Sequence, residues 1–179
     1  MKILNVFDAV MDGTFEDFKN YYDGEINKIN EYTKLNMLCT AVLNDKNKDD
    51  KIKIINYIIK EGVDLNYIGK KYKRNALHTI FFNNINSSAE HIYNVVEILL
   101  KNGIDVNCTD KYGAIPMQYA ISSPKNPTDE MEKIYKVLLK FGSDYKHEDN
   151  YNNSCLHYAK QFAWRNGFLD IVKEYENKK

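Results

Sequence analysis

Cysteine is scarce and cannot be fully paired. The three present, Cys39, Cys108 and Cys155, are widely spaced, with no C-x-x-C and no cysteine–histidine cluster. A disulfide framework or structural zinc site is therefore not what holds this chain together, and reduced, mostly buried thiols in a reducing compartment are expected. An excess of one charge is also missing: 25 lysines and arginines face 25 aspartates and glutamates. A balanced chain has no global field to draw in DNA or an anionic membrane, so neither nucleic acid nor membrane is an expected partner. No apolar run approaches the roughly 18 residues of a membrane span. The run Ile3-Leu4-Asn5-Val6-Phe7 after Lys2 is cut short by Asp8 and Asp12 and has no small-residue cleavage site behind it. It does not read as a signal peptide, and a cytoplasmic protein is expected. Glycine is sparse, with eight in 179 residues. No G-x-S-x-G elbow, P-loop, G-x-G-x-x-G or H-E-x-x-H occurs, so no nucleophile, phosphate cradle or metal pair can be nominated. The expectation is a protein without catalytic residues, cofactor or metal.

What is present is an apolar share of 44% and an internal repetition. Glu61-Gly62-Val63-Asp64-Leu65-Asn66, Asn102-Gly103-Ile104-Asp105-Val106-Asn107 and Phe141-Gly142-Ser143-Asp144-Tyr145-Lys146 align, their glycines 41 and 39 residues apart. Each follows an apolar helical run (Ile54–Ile59, Val95–Leu100, Ile134–Leu139), and a glycine there reads as a helix C-cap, since glycine takes the left-handed conformation cheaply. About ten residues after each glycine comes a second signature. It reads Asn75-Ala76-Leu77-His78-Thr79-Ile80, then Ile115-Pro116-Met117-Gln118-Tyr119-Ala120, then Ser154-Cys155-Leu156-His157-Tyr158-Ala159, with a degenerate copy at Asn36-Met37-Leu38-Cys39-Thr40-Ala41. Asn75 and Ser154 can cap the helix that follows, and Pro116 sits in a first turn, where its missing N–H costs nothing. A helix–turn–helix unit of this size cannot bury its apolar face alone, so stability must come from stacking several.

These segments resemble the T-P-L-H-x-A and G-A-D-V-N motifs of ankyrin repeats, and Asp110-Lys111-Tyr112-Gly113 resembles the family's opening D-x-x-G. The resemblance covers most of the chain and implies an all-α ankyrin-repeat solenoid of about five helix–turn–helix repeats. They fall at approximately 1–28, 29–67, 68–108, 109–147 and 148–179, a single domain over 1–179 whose first and last repeats act as caps. The period is lengthened to 39–41 residues from the family's 33 or so. The surplus lies between the two helices of a repeat, at Asn44–Asp49, Asn83–Ser88 and Ser122–Pro127, and is expected to project from one side. In the last repeat, Lys160–Asn166 reads as an extra helical turn.

The resemblance also places a partner across the turn tips and the exposed side of each first helix. Carried across, the tips fall at Tyr32 and Thr33, at Lys71, Tyr72 and Arg74, at Lys111, Tyr112 and Ala114, and at Asn150, Tyr151 and Asn153. Tyrosine recurs at 32, 72, 112 and 151, steps of 40, 40 and 39, so four rings are expected along one edge. Tyrosine suits interfaces because it offers large area with few rotors to freeze; such rings can equally stiffen the edge by packing on adjacent turns. Lys70-Lys71-Tyr72-Lys73-Arg74, the densest basic cluster, reads as a solvated tip or a docking site for an acidic protein patch. His78 and His157, at the same repeat position, read as structural, each ring bonding the neighbouring turn, and Trp164 as a cap on the core between the last two repeats. His147-Glu148-Asp149 is polar, but no second ligand cluster accompanies it. The expected function is a non-catalytic module, monomeric when free, that binds and masks one protein partner, a toxin or a host protein. The specific case is a toxin-neutralising immunity protein, and the alternative is a secreted effector acting on a host protein.

Overall fold

A computed structural model describes residues 2–84 and 86–178. Among the described residues it contains ten α-helices and no strand, with one isolated antiparallel bridge between Ile29 and Asn36. The helices are α1 (Val6–Asp12), α2 (Phe15–Tyr21), α3 (Met37–Ala41), α4 (Lys48–Lys60) and α5 (Ala76–Asn83). They continue as α6 (Ala89–Lys101), α7 (Pro116–Ser122), α8 (Thr128–Lys140), α9 (Cys155–Gln161) and α10 (Gly167–Glu176). Odd-numbered helices pack on one another in sequence, even-numbered helices do the same, and each odd helix also meets the even helix after it. The result is two rows of helices with one apolar seam between them, running from Val6 to Val172 without a break.

Local sequence explains the helix limits. Asn36, Asn75 and Ser154 each accept from the backbone N–H three residues on, so α3, α5 and α9 start on side-chain caps. The helix α7 starts on Pro116, and the Gln118 side chain reaches back to the Ile115 amide at 2.7 Å. At the other end, α4, α6 and α8 stop at Gly62, Gly103 and Gly142, whose φ values are +87°, +90° and +88°. Each glycine amide and the amide after it turn back onto the last helical carbonyls, as in Gly62 to Ile59 and Val63 to Ile58, both at 3.0 Å.

Polar side chains then tie each turn to the next. Asn27, Asn66 and Asn107 accept from the amides of Asp64, Asp105 and Asp144 at 2.7, 2.7 and 2.9 Å. The same three asparagines donate to the carbonyls of Gly62, Gly103 and Gly142 at 3.5, 3.4 and 2.9 Å. The caps Asn36 and Asn75 add a second bond of this kind, donating to the carbonyls of Asp64 and Asp105 at 2.9 Å each.

The loops inside the pairs keep exposed residues at 46–49, 86, 88, 125 and 127, while some of the carbonyls in and before them are met from within. In three pairs a polar side chain from the following pair donates to carbonyls at the end of the first helix or in the loop after it. Lys51, 1% exposed, donates to Val10 at 2.8 Å and to Met11. Asn84, also buried, donates to Val42 at 2.8 Å. Arg165, fully buried, spreads its guanidinium over Ile121 at 2.8 Å, Asn126 at 2.7 Å and Pro124. A loop longer than the minimum exposes more carbonyls than the helix can satisfy, and an internal donor is the alternative to solvating them. Around Lys160–Asn166 the chain forms a short 3₁₀ turn, Ala163–Arg165. Its effect is to bury Arg165, whereas Trp164 remains 45% exposed and lies over the guanidinium at 3.8 Å. Trp164 is therefore not the plug of the core that its size suggested; the arginine beside it takes that place because it carries the donors the loop needs.

Removing that donor set should be costly. Arg165→Ala strands three carbonyls and is expected to lower the unfolding free energy by about 2–4 kcal/mol, read by urea denaturation followed by circular dichroism. Arg165→Lys, with one compact ammonium for three separated acceptors, is expected to recover only part of it. A loss under about 0.5 kcal/mol for the alanine variant would mean that water replaces the guanidinium without penalty.

Candidate functional site

Three of the four tips, at Tyr32, Tyr112 and Tyr151, are closed by short polar side chains that bond their own backbone, whereas the Tyr72 tip is closed by the backbone itself, the Gly69 amide donating to the Arg74 carbonyl at 2.9 Å. Asn30 accepts from the amides of Tyr32 and Thr33 at 2.9 Å each. Asp110 accepts from Tyr112 at 2.8 Å and Ala114 at 3.2 Å, and Asp149 from Tyr151 at 2.8 Å and Asn153 at 3.0 Å. Such turns fix the loop without help from the helices and leave the intervening side chains pointing outward. The last three tips are also joined to one another: the Lys111 amide donates to the Tyr72 carbonyl and the Asn150 amide to the Tyr112 carbonyl, both at 2.9 Å. At the first tip, at Tyr32, the Tyr67 hydroxyl donates to the Lys34 carbonyl at 2.6 Å.

Of the residues expected to meet a partner, Tyr32, Thr33, Lys71, Tyr72, Lys111, Asn150 and Tyr151 are exposed, and Tyr112 and Asn153 are half-buried. Two are not free to serve. Ala114 is buried, and its carbonyl accepts from the His78 ring at 2.9 Å, because the tip folds that residue inward to close on Asp110. Arg74 is committed internally: its Nε lies 3.2 Å from Asp110, its terminal nitrogen donates to the Tyr119 hydroxyl at 2.7 Å, and Phe82 and Tyr119 flank the guanidinium at 4.0 and 4.6 Å. The four tip tyrosines make no ring–ring contact with one another; Lys111 bridges Tyr72 and Tyr112, its ammonium 4.9 and 5.0 Å from the two ring centres.

The Arg74 cluster forms a ridge with a cavity on either side. One cavity, of about 230 Å³, lies between the Thr33 and Tyr72 tips and is walled by Leu35, Leu43, Thr79 and Phe82. The other, of about 360 Å³, lies between the Tyr112 and Tyr151 tips and is walled by Gln118, Tyr119, Ser122 and Tyr158. The sequence reading missed Phe82, Tyr119 and Tyr158. A signal existed for the tyrosines: each follows a tip aspartate by nine residues, and each donates its hydroxyl to that aspartate, Tyr119 to Asp110 at 2.7 Å and Tyr158 to Asp149 at 2.6 Å. Burial, reinforced by the carboxylate, pushes the Tyr119 phenol up to about 12, so both donors stay protonated at neutral pH.

The histidines divide. The Nε2 of His78 lies 2.9 Å from the Ala114 carbonyl and its Nδ1 3.4 Å from the Asn75 amide, with the Asn75 side-chain oxygen 2.8 Å from the same Nδ1. Gln118, forty residues on, repeats both bonds, donating to the Asn153 carbonyl at 2.6 Å. His157 is exposed, and its amide donates to the Ser154 hydroxyl at 3.3 Å. His147 fills a related role, its Nε2 lying 2.7 Å from the Gly113 carbonyl. Cys39 and Cys155 are buried and Cys108 is half-buried. Among the described residues no cluster of three metal-ligating side chains occurs, and no helix is long and apolar enough to cross a membrane. No family model matches the chain. No curated protein matches it either.

Burial pushes the His78 pKa down from 6.5 to about 4. The unfolded chain binds its proton near pH 6.5 and the folded chain only near 4, so His78 leaves stability intact above about 6.5 and erodes it as pH falls towards 4. His91, also held down by burial, shifts the same way. His78→Gln should keep the bond to Ala114, as Gln118 does at its own site, and remove roughly 2–3 kcal/mol of this acid sensitivity. Urea titrations at about pH 7.5 and about pH 4.5 read the difference; an unchanged slope would mean His78 titrates normally in the fold.

Proposed function

We propose that the chain is an ankyrin-type solenoid of five helix pairs, a single domain with lengthened loops, and that it binds and masks one protein partner without catalysis. Supporting the architecture is the recurrence of the asparagine clasp at 27, 66 and 107, steps of 39 and 41 residues that match the glycine spacing. The observation that carries the function is the tip edge itself. Exposed tyrosines and lysines stand on turns fixed by hydrogen bonds within each turn, from side chains at Tyr32, Tyr112 and Tyr151 and from the backbone at Tyr72, beside two cavities separated by the Arg74 ridge. Such a surface is pre-ordered, so a partner does not meet the cost of freezing it. Aromatic anchors beside pockets are what interface hot spots are made of. In its most specific form the proposal is a cytoplasmic immunity protein that covers a toxin.

The test pairs a growth assay with calorimetry. Co-expression should rescue cells from the toxic product of the adjacent gene, and the purified pair should titrate one to one. Tyr72→Ala combined with Tyr151→Ala should weaken the complex by about 2–4 kcal/mol, whereas Lys53→Ala, on an even-numbered helix, should change it by less than about 0.5 kcal/mol. Equal effects from the two variants would remove the tip edge from the interface, and failure of rescue would remove the immunity role.

A further inference from the structure

The Tyr72 tip carries more positive charge than its surroundings neutralise. Lys70, Lys71 and Lys73 flank the ring in sequence and Lys111 is delivered from the next tip. Two ammoniums and a guanidinium stand around this one ring: Lys71 at 5.0 Å from its centre, Lys111 at 4.9 Å and Arg74 at 5.2 Å. The ring face attracts each of them. It does not cancel their mutual repulsion, and among the described residues only Arg74 has a carboxylate partner, Asp110, whose side chain is fully buried. The other ion pairs among the described residues lie elsewhere and involve none of Lys70, Lys71, Lys73 or Lys111.

Directly beside these cations the cavity of about 230 Å³ opens, with Leu35, Leu43 and Phe82 as its apolar wall and Lys70, Lys71 and Arg74 at its rim. Phe82 is 48% exposed there, an aromatic face left uncovered. The volume lies below the range of sites that enclose a drug-sized ligand, and suits a single side chain.

We infer that this cavity takes an acidic segment of the partner protein, with one apolar side chain seated against Leu35 and Phe82 and flanking carboxylates meeting Lys71 and Lys111. The inference deepens the protein-binding reading and rests on it. A polypeptide is favoured over a nucleic acid because the positive track does not continue: the cavity beyond the Arg74 ridge is lined by Asp149, Ser122, Gln118 and tyrosines, with no lysine or arginine. A phosphate backbone running along the edge needs cations at each step.

The probe is a labelled peptide of aspartates and glutamates around one phenylalanine, followed by fluorescence anisotropy with the full chain. Binding is expected at low salt and should weaken as ionic strength passes about 0.1 M. Lys71→Glu with Lys111→Glu should weaken it roughly tenfold or more, by turning attraction into repulsion. Replacing the peptide's phenylalanine by alanine should also weaken it at least about tenfold. The inference is overturned if the peptide does not bind, if a lysine-for-acid version binds equally well, or if oligothymidine binds more tightly than the peptide and responds to the same variant. It is also overturned, with protein binding at the edge left standing, if Tyr151→Ala weakens the partner complex while the double charge reversal leaves both partner and peptide affinities unchanged.

Discussion

A pair of short helices has no interior of its own, and every other feature of this chain follows from that constraint. Apolar stripes on α3 and α4, or α5 and α6, become a core only when the next pair covers them. Covering them buries turn backbone as well, and buried amides and carbonyls must find partners. Side chains that cross between pairs answer this need: Asn27, Asn66 and Asn107 reach forward between turns and His78 and Gln118 forward from helix to tip, while Lys51, Asn84 and Arg165 reach back to the preceding pair. Apolar contact supplies most of the free energy, and the polar clasps fix the register at which it is gained. A tip whose backbone is already satisfied in this way holds its exposed side chains in place before anything docks.

The two arginines show how selectively that work is distributed. Only Arg74 and Arg165 occur among the 25 basic residues; the rest are lysines. Both arginines are drawn into the structure, one into a cluster with Asp110, Tyr119 and Phe82, the other into a loop of carbonyls. A planar guanidinium can donate in several fixed directions and stack on rings at the same time, which an ammonium cannot. Most lysines stay at the surface, where mobile charge serves solubility and long-range attraction. Lys51 is the exception, and burial pushes its pKa down to about 8.

Much of the helical content was legible in the sequence because the signals are local. Glycines at 62, 103 and 142, caps at 75 and 154 and the proline at 116 mark helix ends by their own conformational preferences, and the structure places helix ends at each. What was not legible depends on contacts some forty residues apart. Whether a loop carbonyl is met by a side chain depends on a donor such as Arg165, 41 residues from the carbonyl of Pro124. The inward turn of Ala114, the commitment of Arg74 and the solvent exposure of Trp164 are settled by neighbours that a reading along the chain does not bring together. The exposed tip tyrosines were visible because they recur; Phe82 was not, because its environment is made by Arg74 and the tip beyond.

The asparagine clasp also has an end. Thirty-nine residues past Asn107 the series reaches Lys146, which cannot both donate and accept, and which pairs instead with Glu176 of α10 at 3.2 Å. Tyr145 donates to the same carboxylate at 2.5 Å. The turn after α8 is thereby pinned to the end of α10, the next even-numbered helix, by an ion pair in place of the amide clasp. The link between these two pairs is therefore one that salt screens, where the three before it are neutral amides.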